Sequence, residues 1–317
     1  GDISITGTSK TASGSPGRIG VDMRGMVTGR DIQITGTSNT TSATDGVGVQ
    51  FESASSVNAS GTLSVQGEVK GGGMGRAVWL GDASNSTAVF NASNDINITG
   101  TLSSSGAGNA NNAGVFIDTS GVTASSSNGA IRITGDSTAA GNSFTKNGVY
   151  LKKGMSLAAQ NGTTIQGNAM GTGASVYLDT AANLQVTRGG LTIQTGGDST
   201  SNAFIMSAVG ASISQSSNAD VTVVTQGQGN ITAPKISNSG SGDVVIAAGS
   251  ALPAGTETGG QVLTLAGNDI TQSGGGKTYI YTGSPANTGA LSNLSSNFAN
   301  LYYQGTSQAV NTGFNKA

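Results

Sequence analysis

Cysteine and histidine are both missing from this chain of 317 residues. Without cysteine there is no disulfide, no thiol nucleophile and no zinc finger, and without histidine every mechanism built on imidazole is closed as well. Charge is scarce, at 9% of residues with a formal net charge of −2, so no basic stripe is available to a nucleic-acid backbone. Proline occurs 4 times, aromatics make up 4%, and no apolar run is long enough to cross a bilayer. A compact globular protein of this length carries more charge and more large apolar side chains.

What is present is glycine, serine, threonine and asparagine, with 52 glycines alone. Such a composition often marks disorder, because it buries too little apolar surface to offset conformational entropy. The placement of the β-branched residues argues the other way, since low-complexity linkers have no reason to keep an apolar register. The stretch Asp95-Ile96-Asn97-Ile98-Thr99-Gly100 has near-copies opening at Asp2, Asp31, Thr62, Ala130, Gly162 and Leu191, spaced about 30 residues apart, a period that signals a solenoid or array. Each copy alternates apolar with polar residues, the pattern of a half-buried strand, and its glycine reads as the point where the backbone turns. One such strand cannot bury its apolar face alone; copies stacked about 4.8 Å apart build a continuous interior.

A second strand follows in each period, seen at Val21-Asp22-Met23, Val49-Gln50-Phe51, Val78-Trp79-Leu80, Val115-Phe116-Ile117, Val149-Tyr150-Leu151, Val176-Tyr177-Leu178 and Phe204-Ile205-Met206. A shorter third is visible around Val27, Val57, Val89, Val122, Leu157, Leu184 and Ile213. Three short strands per coil, always in the same order, predict an all-β parallel β-helix. The Ser/Thr/Asn/Gly stretches 37–45 and 100–112 precede the second strand and read as loops projecting from one edge. From Val221 onward, apolar pieces at Ile231, Ile236, Val244, Val262 and Ile270 read as shorter, less regular coils. We therefore expect a β-helix over 1–276 and a separate tail over 277–317, rich in aromatics, that caps the stack, crosses to a neighbour or leads into a next module. Within it, 290–302 reads as a helical turn. The chain opens at Gly1 directly on a repeat, without initiator Met or signal peptide, which reads as an excised piece or a mature fragment.

The recurrent Asp-Ile-x-Ile-Thr-Gly strand, the long Ser/Thr/Asn/Gly coils and the closing Gly276-Lys277-Thr278-Tyr279-Ile280-Tyr281-Thr282-Gly283 together resemble filamentous-haemagglutinin-like exoproteins, large bacterial adhesins many of which are secreted through a dedicated outer-membrane partner. The resemblance covers most of the chain by composition and cadence, and the family's amino-terminal secretion signature is not in it. It implies a right-handed parallel β-helix, a secreted or cell-surface location, an outer-membrane secretion partner, and roles in adhesion, aggregation and biofilm formation.

Register follows from the second strand. With Val49 and Phe51 inward, Gln50 and Glu52 point out, and Arg24, Asp118, Lys152 and Asp179 stand in water; the opposite register would bury that charged column at several kcal/mol per unpaired ion. The middle position then runs Asp22, Gln50, Trp79, Phe116, Tyr150, Tyr177, Ile205 down one outer face. Trp79, Phe116, Tyr150 and Tyr177 are expected to form an exposed aromatic ladder about 14 Å long. It is either a contact strip for a glycan, a protein or another copy, or a stacking device that steadies the sheet. The charges Arg24, Glu52, Asp118, Lys152 and Asp179 alternate in sign and read as register support rather than as a catalytic or metal site. Parallel β-helices also host polysaccharide lyases and hydrolases, but Asp118 and Asp179, about 10 Å apart with Lys152 between them, make a poor acid/base pair. The expectation is a non-enzymatic adhesin segment without cofactor, or else the subunit of a self-assembling fibre in which Tyr279, Tyr281, Tyr302 and Tyr303 of the tail dock onto another copy. A polysaccharide-cleaving enzyme is the remaining alternative.

Overall fold

The apolar pairs of the repeated stretch lie over one another. Ile3 and Ile5 pair with Ile32 and Ile34, and the columns continue through Leu63 and Val65, Ile96 and Ile98, Ile131 and Ile133, Thr163 and Ile165, Leu191 and Ile193. Every pairing is parallel. The computed structural model describes residues 1–9, 18–40, 46–71, 75–81, 87–104, 111–137, 146–169, 173–196, 203–207, 210–226, 229–232, 234–250, 260–263, 270–282 and 302–303. Among these the first strands form an 11-stranded sheet, from Ile3–Ser9 at one end to Tyr302–Tyr303 at the other.

The second and third strands belong to a single 16-stranded hydrogen-bonded sheet. In the first two coils the chain runs through the corner between them without a break, as Arg18–Gly29 and Gly46–Ala59. The bend falls at Gly25, with φ 101°, and at Ala54, with φ 58°, a left-handed conformation that glycine takes without steric cost and alanine does not. Later coils split the two strands, as in Gly75–Leu80 and Thr87–Ala92. The protein is thus an all-β parallel β-solenoid with three strands per coil. Its interior is one continuous apolar cluster that includes Ile34, Val49, Phe51, Phe90, Ile98, Val115, Ile133, Leu157, Ile165, Phe204 and Ile246, all 0–1% exposed. Burying each such side chain contributes about 1.5–3 kcal/mol.

The glycine that closes the repeated stretches up to Gly167 is not at a turn. The strand runs on through it, as in Ile32–Thr40, and its backbone crosses that of the second strand at contact distance. A Cβ on Gly36 would sit 2.1 Å from the Gly48 carbonyl oxygen, and one on Gly67 1.9 Å from that of Ala77. Beyond this crossing a second, narrower interior opens, holding Val69, Ala77 and Leu102 together with the buried Ser38, Ser137 and Ala169. The expected corner loops leave from this edge and fall largely outside the described residues.

The shorter coils after Val221 keep the same order. Val221–Thr225, Ile231–Thr232 and Ile236–Asn238 make one coil, and Val244–Ala247, Val262–Leu263 and Ile270–Gln272 the next. The stack does not stop at 276. Thr278–Thr282 adds a further rung beside Val244–Ala247, because its Thr278 and Ile280 repeat the inward period. The stretch expected as a helical turn lies outside the described residues up to its last member, Tyr302, which is in a strand paired with Tyr281.

Candidate functional site: the outer ladder of the second strand

Strict alternation fails at the start of the second strand. Ala113–Ile117 is buried at every position, and Ala77 and Val78 are both fully buried. The chain faces the narrow interior at Ala77 and the main interior at Val78, so Arg76 and Trp79, three residues apart, emerge on the same outer side. Arg76 is a site residue that sequence reasoning missed, because counting by twos from Val78 turns it inward.

The expected ladder forms in the expected register, with Asp22 on Gln50, Gln50 on Trp79, Trp79 on Phe116, Phe116 on Tyr150, Tyr150 on Tyr177 and Tyr177 on Ile205. Ring centroids are 6.3 Å apart for Trp79 and Phe116, 5.1 Å for Phe116 and Tyr150, and 5.0 Å for Tyr150 and Tyr177, the last pair stacked at 28°. Exposure is where the expectation fails. Phe116 is 0% and Tyr150 4% exposed, and only Trp79 and Tyr177 at the two ends keep part of their surface open. The aromatics form a small apolar cluster of their own with Ala113, separate from the solenoid interior. Arg76 lies across one end, its guanidinium carbon 4.3 Å from the Trp79 ring centre and 4.9 Å from that of Phe116, within cation–π range. The Lys152 ammonium reaches 5.9 Å from the Phe116 ring.

The charged column is only partly in water. Arg24 is exposed and pairs with Glu52 and with Asp22, both at 2.8 Å. Asp118, expected outside, is 6% exposed and bound by Lys152 at 2.9 Å, so its burial is compensated by a cation on the next coil. Asp179 bonds to phenols instead: it accepts the Tyr150 hydroxyl at 2.7 Å, that of Tyr177 at 3.5 Å and the Thr180 N–H at 2.7 Å. Burial alone would raise the Asp179 carboxyl, but the hydrogen bonds from Tyr150 and Thr180 outweigh it and hold the group below the usual carboxylate range. Burial first, and the Asp179 carboxylate second, push the Tyr150 phenol well above its ordinary range, so it stays a neutral donor. Burial raises the Tyr177 phenol too.

Asp179 is held in its ionised form by its hydrogen-bond donors and so is not set up as a proton donor. Among the described residues no group of three or more His, Cys, Asp or Glu side chains is placed to hold a metal ion. In the tail, Tyr279 and Tyr281 sit on the outer side of the rung at Thr278–Thr282, Tyr281 3% exposed, and Tyr302 and Tyr303 form the strand beside it. The tail residues lie on the first-strand sheet and the ladder on the second-strand face, so they form two separate places.

No protein-family model, curated protein or solved structure matches the chain. No helix among the described residues is long and apolar enough to cross a membrane.

Proposed function

We propose that the chain is a non-catalytic segment of a large bacterial surface adhesin of the filamentous-haemagglutinin-like kind, exported through an outer-membrane partner and making contact through side-chain rows on the solenoid surface. The observation that carries this reading is the in-register outer ladder, whose end rungs Trp79 and Tyr177 leave aromatic surface open. Solenoids present extended faces of this kind for recognition, and an aromatic ring partly open to water favours a glycan or protein partner over bulk solvent. The covered rungs Phe116 and Tyr150 act as the ladder's footing rather than as contacts.

The test is the double substitution Trp79→Ser with Tyr177→Ser in the purified chain, with adhesion to an epithelial cell layer and to a glycan array as readouts. Adhesion is expected to fall to background while the far-ultraviolet circular dichroism keeps its β signature. Undiminished adhesion by a folded double variant removes the ladder as the contact strip.

A further inference from the structure

A chain without cysteine cannot tie its coils together by disulfides. Tyrosine forms carbon–carbon bonds on one-electron oxidation, and Tyr150 and Tyr177 occupy the same position on consecutive coils. Their rings are stacked 5.0 Å apart, and both hydroxyls converge on one carboxylate, Tyr150 on Asp179 Oδ2 and Tyr177 on Asp179 Oδ1. We propose that Tyr150 and Tyr177 are an oxidative cross-linking site, at which a dityrosine joins two neighbouring coils and Asp179 takes the phenolic protons.

The reaction needs a one-electron oxidant from outside, of the class formed by a haem peroxidase with hydrogen peroxide or by a photo-oxidised ruthenium complex with persulfate. Each phenol gives up one electron to the oxidant and one proton to Asp179, which passes it to water before the second transfer. The two phenoxyl radicals join through one ortho carbon each, and the hydrogen on each of those carbons then moves to the phenol oxygen. The product is the two tyrosines less two hydrogen atoms, and the oxidant has accepted two electrons. Tyr177, partly exposed, meets the oxidant, and the buried Tyr150 is reached through the ring in contact with it. A charged phenol radical cation is a strong acid, so a carboxylate already hydrogen-bonded to the hydroxyl removes the proton without rearrangement.

The experiment oxidises the purified chain with the ruthenium–persulfate system and maps the products by peptide mass spectrometry and dityrosine fluorescence. The expected product is a monomer lighter by two hydrogens, with residues 150 and 177 in one cross-linked peptide. Tyr177→Phe and Tyr150→Phe, each of which keeps the ring, should each abolish that peptide. Asp179→Asn should slow its formation by about a hundredfold, the lower end of what a positioned base contributes. The wild-type rate should also fall in acid as Asp179 is protonated, a limb that Asp179→Asn lacks and that a merely structural role would leave in place. The remaining tyrosines, Tyr279, Tyr281, Tyr302 and Tyr303, serve as the internal comparison. Cross-links confined to those residues, cross-links only between molecules, or no cross-link at all overturn the proposal. An unchanged rate in Asp179→Asn overturns the assignment of the proton acceptor.

Discussion

A methyl group does not fit at Gly100. Built there, it would stand 2.0 Å from the Gly114 carbonyl oxygen and 2.5 Å from the carbonyl carbon, both backbone atoms that no rotamer change can move. Gly7, Gly135 and Gly167 meet the same obstacle, at 1.9, 2.0 and 1.8 Å. We expect Gly100→Ala to destabilise the protein by about 3 kcal/mol or more, at or beyond the upper end of ordinary overpacking, as read from urea unfolding. A loss below about 0.5 kcal/mol, the range of neutral surface changes, would mean that the crossing is not tight. In the next coils Thr195 and then Thr225 take the glycine's place in the column, both buried, so the crossing has opened by that level. The repeat itself was legible, but the reason for its glycine was not. A turn and a backbone crossing both call for a missing Cβ, and nothing within one period says which is meant. The same limit applies to Phe116 and Tyr150, whose outward direction followed from alternation. Their burial depends on neighbours such as Arg76 and Ala113, which a change of parity at Ala77 brings to the same side.

At the level of the strand and its corner, the aspartate that opens several copies clips one coil to the next. Asp31 accepts the Thr62 N–H, Asp95 that of Ala130, Asp220 that of Asp243 and Asp243 that of Lys277, each at 2.7–2.8 Å. The donor in each case stands just before the first strand of the following coil, a backbone group that strand pairing leaves unused. The Ala130 N–H is the largest influence on Asp95; together with Arg132 it outweighs burial and holds the carboxyl below its ordinary value. A carboxyl whose folded value is depressed contributes stability that is fully present above its unfolded value of about 3.9 and is lost as pH falls through the folded value. Asp179, depressed as well, acts in the same sense. The wild type should therefore lose stability progressively below about pH 4. Asp95→Asn should start less stable at neutral pH and lose less on acidification, as measured by urea midpoints across a pH series. Parallel acid limbs for both proteins would show that this clip carries no titrating energy. The aspartate is plain in the sequence; its acceptor role is not, because the donor belongs to another coil.

Across the whole molecule each coil touches mainly the coils on either side, so stability is close to a sum over coils and their interfaces. Ile96 pairs directly with Ile131, and excising residues 96–130 would join Asp95 to Ile131 with every column still in register. Trp79 would then face Tyr150 in place of Phe116. Such a deletion should fold, keep its β-sheet circular dichroism and show a urea m-value lower in proportion to the surface removed. A shortened chain that collapses without cooperative unfolding would mean that the coils are not interchangeable units. Here the sequence carried most of the answer, since the Ile, Leu and Val columns at about 30-residue intervals specify three strands and their order. The tail was harder to place: Thr278–Thr282 is aromatic enough to look foreign, yet Ile280 lands on Ile246 as one more step of the same column.

From Gly7 to Gly167 the tight crossing sets the main columns of each coil apart from a margin that lies beyond the narrow interior and takes no part in them. Residues past the crossing add nothing to the main columns, and their length does not alter the vertical spacing. Descendants of such a gene are free to lengthen, shorten or exchange that margin while the remainder is inherited unchanged, which makes it the place where diversification, or a grafted peptide, meets the least resistance.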